Sequence, residues 1–127
     1  MTTSQRNKLV LYRGFPPSNE YTISPFVTKL EFRLRYAKIP HILDIGSPQE
    51  GPSGKIPYTD IAPLTNAATK ELVGDSTSVT NTLIQEGYAA DLNAHLTAEQ
   101  KATDMAIRAL CEDKLYFLNM SERWVDN

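Results

Sequence analysis

The sequence predicts an α/β domain followed by one long α-helix. Two observations carry this prediction. β-forming and helix-forming patterns follow one another in the order strand, helix, strand, strand, strand, helix. Near the C-terminus a helical pattern then continues without proline or glycine. With 127 residues, of which 41% are hydrophobic, the chain can bury one core and a small helical appendage.

The first strand and the first helix meet near a serine. Residues 8–13 are rich in β-forming side chains, and Gly14 ends that run. Pro25 has the fixed φ that suits the first helical position, and apolar residues recur at helical spacing as far as Ile39-Pro40. Ser24 is therefore predicted at the N-cap, where a helix exposes unpaired backbone N–H groups and the positive end of its dipole.

Three short strands are predicted after this helix. Residues 41–45 are the first of them, and glycines and prolines over 46–54 predict a loop. Residues 58–61 and 70–73 are the other two, joined by a 62–69 connection that is longer than an ordinary hairpin loop. Because parallel neighbours need a crossover, the helix between the first two strands predicts that those two run parallel.

Two further segments have residues suited to ligand binding. Pro57 opens a strand, a position where its missing N–H is tolerated. Asp75 and Ser76 follow the last strand and precede apolar residues at helical spacing, which predicts a second helix start. Side-chain oxygens and free N–H groups at such a start can bind the ammonium and the carboxylate of one ligand. Taken singly, each of these features is also an ordinary structural cap.

In this order and spacing, the three segments resemble the thioredoxin-like domain of glutathione transferases. Ser24-Pro25-Phe26 is similar to the Cys-Pro-Phe of omega-type transferases, with serine in place of the reactive cysteine. Ile56-Pro57 resembles the family's cis-proline dipeptide, and Asp75-Ser76 resembles its acidic-serine pair. The residues of these motifs most resemble those of the failed-axon-connections and metaxin-like branch. The resemblance covers about residues 8–88.

The resemblance implies a glutathione site and a role for each motif. Ser24 would be the catalytic residue, which donates a hydrogen bond to the glutathione sulfur. The backbone beside Pro57, in a cis peptide bond, would pair with the cysteinyl part. Asp75 and Ser76 would hold the γ-glutamyl end. Glutathione would be a cosubstrate, and its reaction partner an unknown electrophile. The glutathione-binding residues implied in this way are Phe26, Lys55, Ile56, Pro57, Asp75 and Ser76.

One departure from related motifs limits the chemistry. Ser24 and Val27 stand at the two positions of a Cys-x-x-Cys motif, so dithiol–disulfide exchange has no sulfur to use there. A glutathione-dependent transferase or lyase stays open, and so do two alternatives. The first is a non-catalytic adaptor that uses the fold and the long helix for protein interaction. The second is an enzyme that reuses the pocket for another small molecule without glutathione.

The predicted organisation has three parts, namely an N-terminal tail at 1–7, the thioredoxin-like domain at 8–88 and a helical extension at 89–127. Thr97 has the sequence pattern of a capping box, so one helix is expected from Ala98 to Trp124. That helix has two apolar stripes and therefore needs neighbours on two sides. We expect one stripe to pack on the domain and the other to form a two-fold homodimer. The stripes are Ala102, Met105, Ala106, Ala109, Tyr116, Phe117, Met120 and Trp124, and Ile107, Cys111, Leu115 and Leu118.

Composition argues against several other classes of protein. Lys plus Arg number 13 and Asp plus Glu 15, a net charge of −2 without a long block of one sign, so we expect no nucleic-acid partner. No run approaches the ~18 apolar residues of a membrane span. His41 and His95 lack neighbours at metal-ligand spacing, so no metal site is expected. The single cysteine, Cys111, cannot form an internal disulfide, which fits a cytoplasmic location.

Overall fold

The computed structural model describes residues 7–16 and 20–125. It divides into two compact units, one up to Ala90 and one from Asp91. In the first unit a mixed four-stranded sheet is combined with helices in the predicted strand and helix order, so the predicted α/β class is confirmed. Its elements are β1 Leu9–Tyr12, α1 Pro25–Tyr36, β2 His41–Asp44, a 3₁₀ turn Pro48–Glu50, β3 Tyr58–Asp60, α2 Ala62–Thr65, β4 Leu72–Gly74 and α3 Ser76–Gln85.

The sheet has the strand order β2-β1-β3-β4. β1 and β2 are parallel, as predicted, and β3 is antiparallel to both β1 and β4. Tyr12 is opposite Tyr58, and Tyr58 is opposite Gly74. The end of β1, the start of β3 and the end of β4 therefore lie at one end of the sheet, called here the site end.

The core lies between one face of the sheet and the two longer helices. Leu9 and Leu11 point to that face from β1, and both are fully buried. The residues that cover them are Leu30 and Leu34 from α1 and Val79 and Leu83 from α3, all at most 1% exposed. Since each of these helices follows a strand that ends at the site end, both helices also begin there.

The long connection between β3 and β4 contains a helix that the sequence analysis did not predict. It contains α2, which begins after Asp60 folds its Oδ1 back to accept hydrogen bonds from the N–H of Ala62 at 3.1 Å and of Glu71 at 3.0 Å. Asn66, in the left-handed conformation at φ 56°, ends the helix. A buried carboxylate thus organises a segment for which no helix was predicted.

The second unit is the long helix with its preceding turn. Thr97 forms the predicted capping box, with its Oγ1 accepting from Gln100 N–H and the Gln100 side chain accepting from Thr97 N–H. The helix runs from Ala98 to Trp124, as predicted, but its middle is π-helical. Its parts are α4 Ala98–Ala109, the π segment Leu110–Leu115 and α5 Tyr116–Trp124. Among the described residues no helix is long and apolar enough to cross a membrane.

Candidate functional site

Ser24 lies at the start of α1, as predicted. Its backbone is extended, at φ −77° and ψ 114°, and its Oγ accepts a hydrogen bond from Val27 N–H at 3.4 Å. Its carbonyl oxygen accepts from Thr28 N–H at 3.2 Å and from the Thr22 hydroxyl at 3.2 Å. A hydroxyl that accepts from the backbone keeps its own proton for donation to another group. Ser24 can therefore cap the helix and donate to a ligand at the same time.

A buried arginine anchors the chain that leads to Ser24. Arg13, just after β1, is only 2% exposed. Its Nη2 donates to the Glu20 carbonyl oxygen at 2.6 Å and lies 3.3 Å from Glu31 Oε2 on α1. The β1–α1 connection is thus held to the helix that it precedes. Beside this pair is a cleft of about 520 Å³, whose lining includes the aromatic rings of Tyr21 and Phe32.

Ile56 and Pro57 lie at the site end, immediately before β3. The peptide bond between them is cis, which confirms the prediction, and Phe15–Pro16 is a second cis bond. Gly14, at φ +76°, comes so close that a Cβ on it would lie 2.5 Å from Ile56 Cδ1. The backbone after β1 therefore packs directly on Ile56. Because Tyr58 is opposite Gly74, the buried Pro57 just before β3 and the residue just after β4 lie at the same end of this strand pair.

That next residue is Asp75, the N-cap of α3. It has φ 66° and ψ 131°, and a positive φ is uncommon for a residue other than glycine. Its Oδ2 accepts hydrogen bonds from Ser78 N–H at 3.1 Å and from the Ser78 hydroxyl at 3.3 Å. The second predicted helix start is therefore confirmed, and its N-cap residue, Asp75, is exposed.

Ser76 is the first residue of α3 and is 1% exposed. Its Oγ has no hydrogen-bond partner in the described part of the chain. An unsatisfied buried hydroxyl costs about 1–3 kcal/mol, so its place at a helix start is a feature that needs an explanation.

Lys29 joins the two helix starts. Its Nζ donates to the Thr77 hydroxyl on α3 at 3.2 Å and lies 5.9 Å from the centre of the Phe26 ring. The structure thus brings Phe26 and the start of α3 together through this lysine. Lys55, by contrast, is exposed in the loop before Ile56, and the described residues offer it no ion pair.

A stacked tyrosine pair lies under the site end, on the sheet face opposite the core. The rings of Tyr12 and Tyr58 are 4.6 Å apart. The Tyr58 hydroxyl accepts from Ser47 N–H at 3.2 Å and donates to Glu50, and burial raises the pKa of Tyr58. The hydrogen bond to Tyr12 raises the pKa of Lys70. The sequence does not reveal this cluster, because its members are distant in the chain.

No group of three or more His, Cys, Asp or Glu side chains that could hold a metal ion occurs in residues 7–16 and 20–125. The site end is instead rich in donors, namely the N–H groups of two helix starts, the Ser24 hydroxyl and the Lys29 ammonium. Such a set is suited to a ligand with anionic groups.

Comparison with known families agrees with this arrangement. A family model described as glutathione S-transferase N-terminal domain matches residues 25–127, which include every element from α1 to the end of the long helix. No solved structure gives a significant match to the chain. On the match to the family model, the chain belongs to the glutathione S-transferase N-terminal domain family.

Proposed function

We propose that this chain is a glutathione-binding, transferase- or lyase-like protein whose site lies at the site end of the sheet. One observation carries the proposal. The register that sets Tyr12 opposite Tyr58 and Tyr58 opposite Gly74 brings the Pro57 turn and the start of α3 to the same end of the sheet, and the Lys29–Thr77 hydrogen bond links the beginning of α1 to α3. These are the three segments whose sequences resemble the glutathione-contacting motifs of the family.

Ser24 acts on the sulfur in this proposal. Its hydroxyl proton, which the cap hydrogen bond does not use, is donated to the bound glutathione thiolate. This bond and the positive end of α1 lower the thiol pKa below its free value of about 8.5. The thiol proton leaves to solvent. The thiolate electron pair then forms a carbon–sulfur bond with the electrophile, whose leaving group or displaced electron pair departs from the attacked carbon.

The other candidate residues hold the rest of the tripeptide. The backbone at Ile56, beside the cis Pro57, pairs with the cysteinyl part. Asp75 binds the γ-glutamyl ammonium through Oδ1, since the Ser78 hydrogen bonds occupy only Oδ2. Ser76 lies at the helix start that receives the γ-glutamyl carboxylate. The Phe26 ring flanks the site, and the exposed Lys55 offers a cation to the glycyl carboxylate.

Finer assignments belong to the same proposal. The Ser-Pro-Phe-x-x-Lys-Leu-Glu segment at 24–31 supports membership of the failed-axon-connections and metaxin-like branch. The proposed domain division stays at 8–88 and 89–127. A two-fold homodimer is supported by the Ile107, Leu115 and Leu118 side chains, each more than half exposed. The single cysteine supports a cytoplasmic location.

A non-catalytic adaptor is the second candidate function. It is favoured by the way in which Ser24 is already used as a helix cap, a role that needs no ligand. In that case the long helix would carry the function through its exposed apolar side chains. An enzyme that uses the same pocket for a different small molecule is the third candidate.

Titration calorimetry with glutathione and with its thiol-free analogue γ-glutamyl-aminobutyryl-glycine tests the proposal. We expect both to bind in a saturable manner, and only glutathione to give the ultraviolet difference absorbance of a thiolate at neutral pH. Binding of both without a thiolate signal would favour a vestigial site. Absence of binding by either would exclude the glutathione proposal and leave the two alternatives.

A further inference from the structure

Lys29 connects two helices. It lies on α1, four residues after Pro25, and its half-buried side chain reaches α3, where Nζ donates to the Thr77 hydroxyl at 3.2 Å. The Phe26 ring also lies near the ammonium, with its centre 5.9 Å away. A lysine on an exposed helix face would extend into solvent. This one is directed to the first turn of the neighbouring helix.

That first turn has unused donors. The N–H groups of Ser78 and Val79 bond to the side chain and the carbonyl of Asp75. The N–H groups of Ser76 and Thr77 have no acceptor within the described residues, as is usual for the first positions of a helix. Two free N–H groups and one ammonium therefore lie together at the positive end of the α3 dipole.

The Ser76 hydroxyl is an independent sign that a partner is missing at this turn. It is 1% exposed and its Oγ has no hydrogen bond in the described part of the chain. A hydroxyl in that state can both donate and accept. Ser76 is the first residue of α3, so an anion bound at this helix start is a candidate partner for its hydroxyl.

The charges at the turn are divided between its two sides. The Asp75 carboxylate is exposed and is turned onto Ser78, whereas the Lys29 ammonium lies at Thr77. A ligand group that carries both an ammonium and a carboxylate on one carbon matches this division. Its ammonium would face Asp75, and its carboxylate would face Lys29 and the free N–H groups.

We propose that Lys29 is a ligand-binding residue that pairs with the α-carboxylate of a γ-glutamyl group bound at the start of α3, and so makes that carboxylate a requirement for binding. The proposal rests on the proposed glutathione function and adds a specificity determinant to it. An ammonium paired with a carboxylate in a partly buried place is worth more than a neutral hydrogen bond.

The test uses three thiol ligands and four forms of the full chain. The ligands are glutathione, glutaryl-cysteinylglycine, which lacks the ammonium, and γ-aminobutyryl-cysteinylglycine, which lacks the carboxylate. The proteins are the wild type, Lys29→Met, Lys29→Arg and the control Lys38→Met, which removes the same charge two residues beyond the C-terminal end of α1. Amide NMR shifts of Ser76 and Thr77 report binding, and thermal unfolding checks that each variant is folded.

We expect Lys29→Met to weaken glutathione and the glutaryl analogue by about 10- to 100-fold, the range for loss of a charged hydrogen bond. The carboxylate-free analogue should bind wild type as weakly as it binds Lys29→Met. Lys29→Arg should keep most of the affinity, and Lys38→Met all of it. If Lys29→Met does not fold, wild-type salt dependence decides, since glutathione has one ion pair more than the carboxylate-free analogue and should lose affinity more steeply as salt rises. Equal salt dependence of these two ligands would overturn the role of Lys29.

Each other outcome has a defined meaning. Equal binding of glutathione by wild type and Lys29→Met overturns the role of Lys29 and leaves the glutathione function standing. Lys29-dependent binding of the glutaryl analogue without glutathione binding supports the carboxylate subsite and overturns the glutathione function. No shift of Ser76 or Thr77 with any ligand overturns both.

Discussion

The guanidinium of Arg13 lies 3.3 Å from the carboxylate of Glu31, and both side chains are largely buried, at 2% and 12% exposure. The pair joins the end of β1 to the middle of α1, while the same guanidinium donates to the Glu20 carbonyl. The connection from β1 to α1 ends at Ser24. The catalytic candidate is therefore positioned by an ion pair that does not belong to the ligand site itself.

Glu31→Gln should destabilise the fold by about 3–5 kcal/mol, because it breaks an ion pair of the buried Arg13 guanidinium. Arg35→Gln is the matched control, since Arg35 bonds the same carboxylate at 3.1 Å but is 57% exposed. Its loss should cost at most about 1 kcal/mol. Urea unfolding measures both. Equal effects of the two substitutions would show that the Arg13 pair contributes little.

Ser24→Ala should affect the sulfur more than the affinity. We expect the thiol pKa of bound glutathione to rise toward its free value, while the dissociation constant changes little. Loss of the cap should also lower stability by about 1 kcal/mol. Ser24→Thr keeps a hydroxyl and serves as control in a spectroscopic pH titration of the bound thiol. An unchanged thiol pKa in Ser24→Ala would contradict a role on the sulfur.

Asp75→Asn should weaken glutathione binding by about 1.5–3 kcal/mol without unfolding the chain. Asparagine has nearly the same shape as aspartate and can still accept from Ser78 N–H, so the cap is kept and only the charge is lost. Calorimetry and thermal unfolding separate the two effects. Glu86→Gln at the opposite end of α3 is the control, and a similar loss in that variant would show that overall charge is responsible.

Stability should decrease above about pH 10 in part because of Tyr58. Burial raises the pKa of Tyr58 in the folded state above its ordinary value. The folded chain then binds more protons than the unfolded chain above pH ~10, so the contribution is complete below that pH and is lost as pH rises through the folded pKa. Urea unfolding at several alkaline pH values should show a smaller decrease for Tyr58→Phe than for wild type. Tyr36→Phe, at an exposed position, should behave like wild type.

Leu115→Glu tests the proposed homodimer. Sedimentation equilibrium at tens of micromolar should give a dimer mass for wild type and a monomer mass for the variant, because a buried apolar contact becomes charged. Lys101→Glu on the same helix is a control for added negative charge. A monomeric wild type would end the dimer hypothesis.

The helix starts at Ser24, Asp75 and Thr97 were predictable because capping is local. Each depends on a side chain that reaches a backbone N–H three residues away. α2 was missed because its start depends on Asp60, a strand residue whose buried carboxylate also bonds Glu71 N–H. The short segment itself gives no sign of that tertiary contact.

The candidate site was only partly predictable. The motif residues were found from their order, but the roles of Arg13 and Lys29 depend on contacts with Glu31 and Thr77. Those partners lie far away in sequence, so neither contact has a spacing rule. The Ser-Pro-Phe-x-x-Lys-Leu-Glu segment contains both helix-side partners, Lys29 and Glu31, and was the available signal for them.

The π segment Leu110–Leu115 acts as a phase shift within one continuous helix. A π turn takes up one more residue than an α turn, which displaces the side chains after it by roughly 100° around the axis. The apolar stripes predicted for an uninterrupted α-helix are therefore not continuous, and Met105 and Met120 do not lie on the same face of the helix. Deletion of a single residue from this segment would bring the side chains of α4 and α5 back into one α-helical register. The loss of one codon would thus rotate a different face of α5 outward without replacing any other side chain.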